Sequence, residues 1–240
     1  DREASGDAWS DLEYWDWDFD ANEWVYAGGR PTGRAAMDPD VAHPYVDQVL
    51  APLEHQLTPE LLVGLDYVHR ENQDILAMVN VNDDYDSLVA PGNPLAGGDL
   101  PFYELLSTQE FVLTNPAGAY RDYDSVVLRL ARRYADGWSL NASVVWAETE
   151  GNTVDVDGYE DAWQDWNGQV NNDGRVPGQS EWQAKLDASV DLPWQVILSG
   201  YYRYLSGTYW TPYVTVDGLL ENDRTTVNML PLGSYQLDDV

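Results

Sequence analysis

Cysteine is absent from all 240 residues, which excludes disulfide bridges, thiolate metal centres and cysteine nucleophiles. That absence assigns no compartment, although it fits an oxidising periplasm or cell exterior. Basic residues are scarce as well, 12 against 42 acidic ones. At a formal net charge of -30 the chain is no general nucleic-acid binder, because it cannot neutralise phosphates. The acidic excess points instead to cation binding, a high-salt habitat or solvated acidic loops. No apolar run reaches the ~18 residues a spanning helix needs, so a membrane role would require a β-barrel. The chain opens on DREASGDAWSDLE, with neither an initiator Met nor a basic leader, and no signal peptide is expected within it. Catalytic signatures are missing too: there is no G-x-S-x-G, no phosphate-binding glycine loop and no H-E-x-x-H. Carboxylates are so frequent that no glycosidase pair stands out, and no enzymatic activity is expected.

What the chain does have is tryptophan and tyrosine, 11 and 16 against 3 Phe. Rings with a polar handle suit surfaces where one end is apolar and the other wet. They gather around the clearest stretch of the sequence, Glu181 to Trp210. Trp182, Ala184, Leu186, Ala188, Val190 and Leu192 alternate with Glu181, Gln183, Lys185, Asp187, Ser189 and Asp191, a period of two and hence a strand. Pro193-Trp194 ends it, and a second strand follows at once, with Trp194, Val196, Leu198, Gly200, Tyr202 and Tyr204 on one face. Each strand is about a dozen residues, longer than the ~5–6 usual in globular proteins and near the ~9–11 that cross a bilayer at a tilt. Trp194 marks the turn, and tyrosines crowd the far end, as in the aromatic girdles of membrane barrels.

Two further hairpins are expected, over about 45–75 around a Thr58-Pro59-Glu60 turn and over about 119–147 around Asp136-Gly137. With the hairpin at 181–206 and a further strand at about 209–216, they make one partial barrel spanning 1–240. Residues 1–44, 75–118 and 148–180 read as long polar loops, and 217–233 as another. All tight turns therefore fall at one end of the strands and all long connections at the other. The expected fold class is all-β: an antiparallel up-and-down transmembrane β-barrel segment with short periplasmic turns and long acidic extracellular loops. Alternation alone also suits a soluble sandwich or a lipocalin-like barrel. Strand length and aromatics at both strand ends favour the membrane, with the Trp182-to-Leu192 face toward lipid.

Oxygen-bearing side chains at Asp16, Asp18, Asp20 and Asn22 occupy the first, third, fifth and seventh positions of a calcium-loop pattern. The sixth position is Ala21 and the twelfth Ala27, so the pattern is incomplete, and a solvated acidic loop is the competing reading. Asn80, Asn82, Asp83, Asp84 and Asp86 form another such run, as do Asp155, Asp157, Glu160 and Asp161. Tyr159, Trp163 and Trp166 lie among the second group of acids, where they stack on sugars, sit at the headgroup level or, the favoured reading, pack the loop down. His43, His55 and His69 are scattered without ligand spacing. Arg129, Arg133, Lys185 and Arg203 fall on polar strand faces, hence toward a lumen, where they balance lumen acids or a plug.

Residues 38–75, 113–152 and 186–214 together resemble the C-terminal part of the barrel of TonB-dependent outer-membrane receptors, specifically the Oar-like branch with a carboxypeptidase-regulatory-like N-terminal domain. LPLGSYQLDDV at 230–240 resembles the run that precedes a further strand of that family. The resemblance implies a bacterial outer-membrane protein with a signal peptide, an N-terminal extension, a plug domain absent from this sequence and a barrel of the 22-stranded kind. It also implies uptake of a nutrient such as a siderophore, glycan or peptide, energised by the TonB complex through the plug, with outer-membrane lipid as a partner. A secreted or surface acidic β-sandwich that binds carbohydrate or calcium is the alternative.

Overall fold

Period-two alternation sustained over ten or more residues dictates long strands. Six of them form the main sheet of the computed structural model, which describes residues 13–18, 23–29, 35–153, 161–220 and 223–239. They are β1 (Tyr45–Gln56), β2 (Leu61–Gln73), β3 (Arg121–Ala135), β4 (Trp138–Gly151), β5 (Trp182–Leu192) and β6 (Val196–Leu205). Each pairs antiparallel with its chain neighbour, so the sheet is an up-and-down meander in the order β1-β2-β3-β4-β5-β6.

Tight turns join β1 to β2, β3 to β4 and β5 to β6 at one end. Asp136 and Gly137 both take positive φ, 52° and 83°, the backbone of a two-residue hairpin turn that matches strand twist. At the third turn Trp194 and Gln195 are also left-handed, at 68° and 62°, a conformation costly for side chains of that size. Trp194 is 91% exposed there, as befits an interfacial anchor. The turns step along the sheet: Arg133 N–H donates to the Glu60 carbonyl of the first turn, and Asp191 N–H to the Gly137 carbonyl of the second. Such stagger is the tilt that closing a sheet into a barrel requires.

Two adjacent rows across the sheet show its two faces. Leu53, Leu65, Leu128, Val144, Ala184 and Tyr204 lie side by side on one. One residue along, on the other face, the row reads Glu54, Gly64, Arg129, Ser143, Lys185 and Arg203. The apolar face is continuous from Tyr67, Trp146 and Trp182 at the loop end to Leu192 and Val196 at the turn end. At the turn end the Arg132 guanidinium lies 3.7 Å over the Trp138 ring and donates to the Ala135 and Trp138 carbonyls, a cation held beside its interfacial ring. β5 supplies 11 residues. At ~3.4 Å per residue and a tilt of ~40° they project to roughly 29 Å, enough to cross the ~25 Å apolar band of an outer-membrane barrel.

No second sheet covers either face among the described residues. β1 is exposed along its whole length, and every buried apolar residue described, including Ile75, Leu100, Leu105, Val176, Val227 and Leu232, lies outside the six strands. The sandwich alternative, which needs a packed inter-sheet core, is therefore not this fold. An apolar face of this extent left bare marks a surface that meets lipid or protein.

The core sits at the loop end, and there the loops depart from the expectation of irregular chain. Within the stretch 1–44, Glu13–Asp18 and Glu23–Gly29 pair antiparallel, and Ala35–Met37 lies parallel to Phe111–Thr114. Within 75–118, Phe111–Thr114 also pairs with Ala77–Asn80, and Tyr85–Ala90 pairs with Leu100–Leu105. The strand expected over 209–216 is divided at Pro212, which cannot donate to a ladder. Tyr209–Trp210 pairs with Tyr235–Gln236, while Tyr213–Leu220 pairs with Asp223–Asn228, so neither part extends the main sheet. These strands are two to eight residues long, too short and too mixed in polarity to announce themselves by alternation.

Candidate functional site

The polar face of the sheet carries its own ion pairs. Arg129 lies 3.2 Å from Glu54 and 2.9 Å from Asp66. Gly64 leaves room for that geometry, since a Cβ there would stand 3.3 Å from the Arg129 Nε and press it aside slightly. Arg133 reaches Glu60 at 3.8 Å, and Asn141 donates to Asp187 at 2.9 Å. Arg129 and Arg133 thus balance acids, as the sequence suggests. Lys185 and Arg203 face each other directly across β5 and β6, are exposed, and have no ion pair among the described residues. Like charges opposed in this way repel, so this patch is left electropositive within a strongly acidic chain.

At the loop end, a cleft of about 450 Å³ opens between three segments: residues 93–103, the single helical turn α1 (Trp166–Gln169) with the residues just after it, and 229–231. Three asparagines hold these walls together by bonding main-chain groups far away in sequence. Asn93, buried, donates to the Met229 carbonyl at 2.7 Å and accepts from Leu95 N–H. Asn171 donates to the Asn228 carbonyl at 2.8 Å. Asn167, fully buried, accepts from Tyr103 N–H at 2.8 Å and donates to the Tyr103 carbonyl at 2.7 Å, so its amide acts as one residue of a strand partner. Buried Asp165 caps α1 through Asn167 N–H and accepts from the Thr225 hydroxyl at 2.5 Å. Trp166 stacks on Tyr85 at 4.8 Å, meets Tyr103 edge-on at 5.4 Å, and still leaves 38% of its surface exposed.

A second cluster fastens the 152–180 connection to the top of the sheet. Arg175 lies 2.5 Å from Glu148 and 3.2 Å from Glu181, with its guanidinium 4.7 Å over the Tyr209 ring. Glu181 accepts from the Tyr209 hydroxyl at 2.7 Å and the Trp146 indole at 3.0 Å. Those two donors and Arg175 hold the Glu181 carboxyl below the ordinary glutamate range, outweighing its partial burial. Nearby, Tyr120 donates to Asp173 at 2.9 Å, and burial together with that carboxylate pushes its phenol up to about 12.

Asp16 and Asp18 belong by their backbone to the Glu13–Asp18 strand, while their side chains, and Asp20 and Asn22 altogether, lie outside the described residues, as do Asp155, Asp157, Tyr159 and Glu160 and the side chain of Asp161. Among the described residues no group of three or more histidines and carboxylates is arranged to hold a metal ion. Asn80 and Asn82 spend their amides on the local chain: Asn80 accepts from Asn82 and Glu110 N–H, and Asn82 accepts from Asp84 N–H and donates to Ser107 and Thr108. His69 sits on the apolar face above Tyr67, between Asp124 at 3.0 Å and Glu71 at 3.1 Å. His43 meets the Pro44 carbonyl at 3.4 Å, and His55 is exposed on β1. Trp163 packs as expected, donating to buried Thr153 at 3.4 Å, whereas Trp166 faces the cleft. The asparagine clamps escape sequence reasoning because asparagine abounds in such loops and its partners here are 57 to 136 residues away.

The profile of the outer membrane beta barrel domain matches residues 21–209, well over half of the chain. The TonB-dependent transporter Oar of Myxococcus xanthus is 26% identical over 129 residues, which are 53% of this chain and 10% of that protein. The chain thus spans about a tenth of the length of the curated relative it matches. The crystal structure of the outer membrane transporter YddB from Escherichia coli superposes with a TM-score of 0.47 at 13% identity, covering 87% of this chain and 26% of that one. An open meander of long tilted strands, apolar on one face and polar on the other, is the wall of such a barrel, and this outer-membrane chain belongs to the outer membrane beta barrel domain family.

Proposed function

We propose that the chain is part of the barrel of a TonB-dependent outer-membrane transporter, of the Oar-like branch, that takes up a nutrient. The observation that carries this is the two-faced single-layer sheet: its apolar face meets lipid, and its polar face, with Arg129, Lys185 and Arg203, lines a hydrated lumen. The packed loop end is the outer surface, where a solute is first captured. The inner-membrane proton gradient supplies the driving force through a plug and TonB-contacting segment that belong to the rest of a longer protein. The absence of any catalytic signature in the sequence fits a transporter that moves its solute unchanged.

The test is depletion of solutes from the medium by a parent strain and by a strain lacking the full-length gene. We expect at least one solute to be taken up only by the parent, with uptake lost on removing TonB or collapsing the proton gradient. A gene deletion that changes no solute's uptake, or uptake that survives without TonB, overturns the proposal.

A further inference from the structure

We infer that the loop-end cleft binds a neutral sugar ring of an extracellular glycan. The inference rests on reading the chain as an uptake barrel, and it names the class of ligand its outer surface captures. Polar groups that line the cleft without a hydrogen bond among the described residues include the Trp166 indole N–H, the Gln169 amide and the Asp99 carboxylate. All three residues are exposed. Beside them stand the apolar surfaces of Pro101, Met229 and the Trp166 ring. A ring and hydrocarbon wall edged by free donors and acceptors complements a pyranose, which has an apolar C–H face and a rim of hydroxyls. A purely apolar ligand would strip water from those polar groups and return nothing.

Charge narrows the class. Among the described residues no cation lines the cleft and one carboxylate does, and the chain carries a net charge of -30, so anionic ligands are repelled. The walls are also pre-set. The asparagine bonds to Tyr103, Asn228 and Met229 fix the three segments relative to one another, and Tyr85 and Tyr103 fix the plane of Trp166. A site held rigid before binding loses less entropy when it fills.

The experiment uses the full-length protein in detergent micelles, probed with an array of neutral oligosaccharides of glucan, xylan, mannan and galactan type. Polygalacturonate and polylysine serve as charged comparators. At least one neutral oligosaccharide should bind. Trp166→Ala should weaken it at least tenfold, and Trp166→Tyr should keep it within a few-fold. Heat-modifiable gel mobility and near-UV circular dichroism confirm that each variant is folded. The inference is overturned if no neutral oligosaccharide binds, if a folded Trp166→Ala variant binds as well as the parent, or if polylysine binds and Asp99→Asn abolishes it. The uptake proposal fails separately: a glycan that binds but is never accumulated under an energised membrane removes transport and leaves the binding site standing. TonB-dependent uptake of another solute, without glycan binding, does the reverse.

Discussion

Replacing Leu186 by Arg separates a lipid-facing sheet from one that meets water. Leu186 lies midway along β5, flanked in its row by Ala142 and Tyr202, and is 39% exposed in a sheet with no covering layer among the described residues. In a bilayer its position is near the centre of the apolar band. An arginine on the lipid face at that depth costs about 2–4 kcal/mol, which lowers the folded-to-unfolded ratio roughly 30- to 1,000-fold. Ser199 is the matched control: it lies on the polar face opposite Ser189, three rows nearer the turn, and is also exposed. Ser199→Arg should cost less than about 0.5 kcal/mol, the usual range for a surface change. Reversible denaturant unfolding of the full-length protein in lipid vesicles measures both. Equal tolerance of the two substitutions, or a larger loss from Ser199→Arg, would refute the assignment of faces.

Three further outcomes test the loop end. Asn167→Ala strips partners from the Tyr103 N–H and carbonyl and from Asp165, and should destabilise the loop core by about 2–4 kcal/mol, seen as faster proteolytic cleavage near residues 100–105 while the barrel stays heat-modifiable. Because folding lowers the Glu181 carboxyl, its contribution is complete above the ordinary glutamate value of about 4.3 and is lost as pH falls toward the lower folded value. Hydrogen-exchange protection in residues 170–180, taken relative to the intrinsic rate at each pH, should therefore fall as pH drops below about 5, and Glu181→Gln should flatten that dependence. A Cβ at Gly207 would overlap the Leu237 carbonyl oxygen, so Gly207→Ala should release the Tyr235–Gln236 strand from Tyr209–Trp210, with loss of the Trp210–Tyr235 stacking signal in near-UV circular dichroism.

The six long strands are legible because each satisfies its own period: Trp182 to Leu192 alternates whether or not its partners are known. Their turns are legible for the same reason, since Asp136-Gly137 carries its conformation locally. The loop end is not, because its order comes from distant pairs. Nothing in the surroundings of Asn93 announces Met229, 136 residues on, and nothing in W-N-G-Q announces Tyr103. Trp166 shows the limit well: favoured as loop packing, it both packs on Tyr85 and opens onto a cleft, two roles that one sequence position does not separate. Lys185 and Arg203 each read as ordinary polar-face cations, and only the register of β5 against β6 sets them face to face.

The placement of the buried core has a consequence for how the molecule comes apart. The sheet draws its stability from lipid on one side and water on the other, whereas the loops carry their own interior of Ile75, Leu105, Val227 and Leu232, sealed by asparagine bonds. Detergent and lipid act on the first and not on the second. Heating should thus reveal two melting events, one that moves with the choice of amphiphile and one that does not, with the outer surface behaving as a small water-soluble protein riding on the rim.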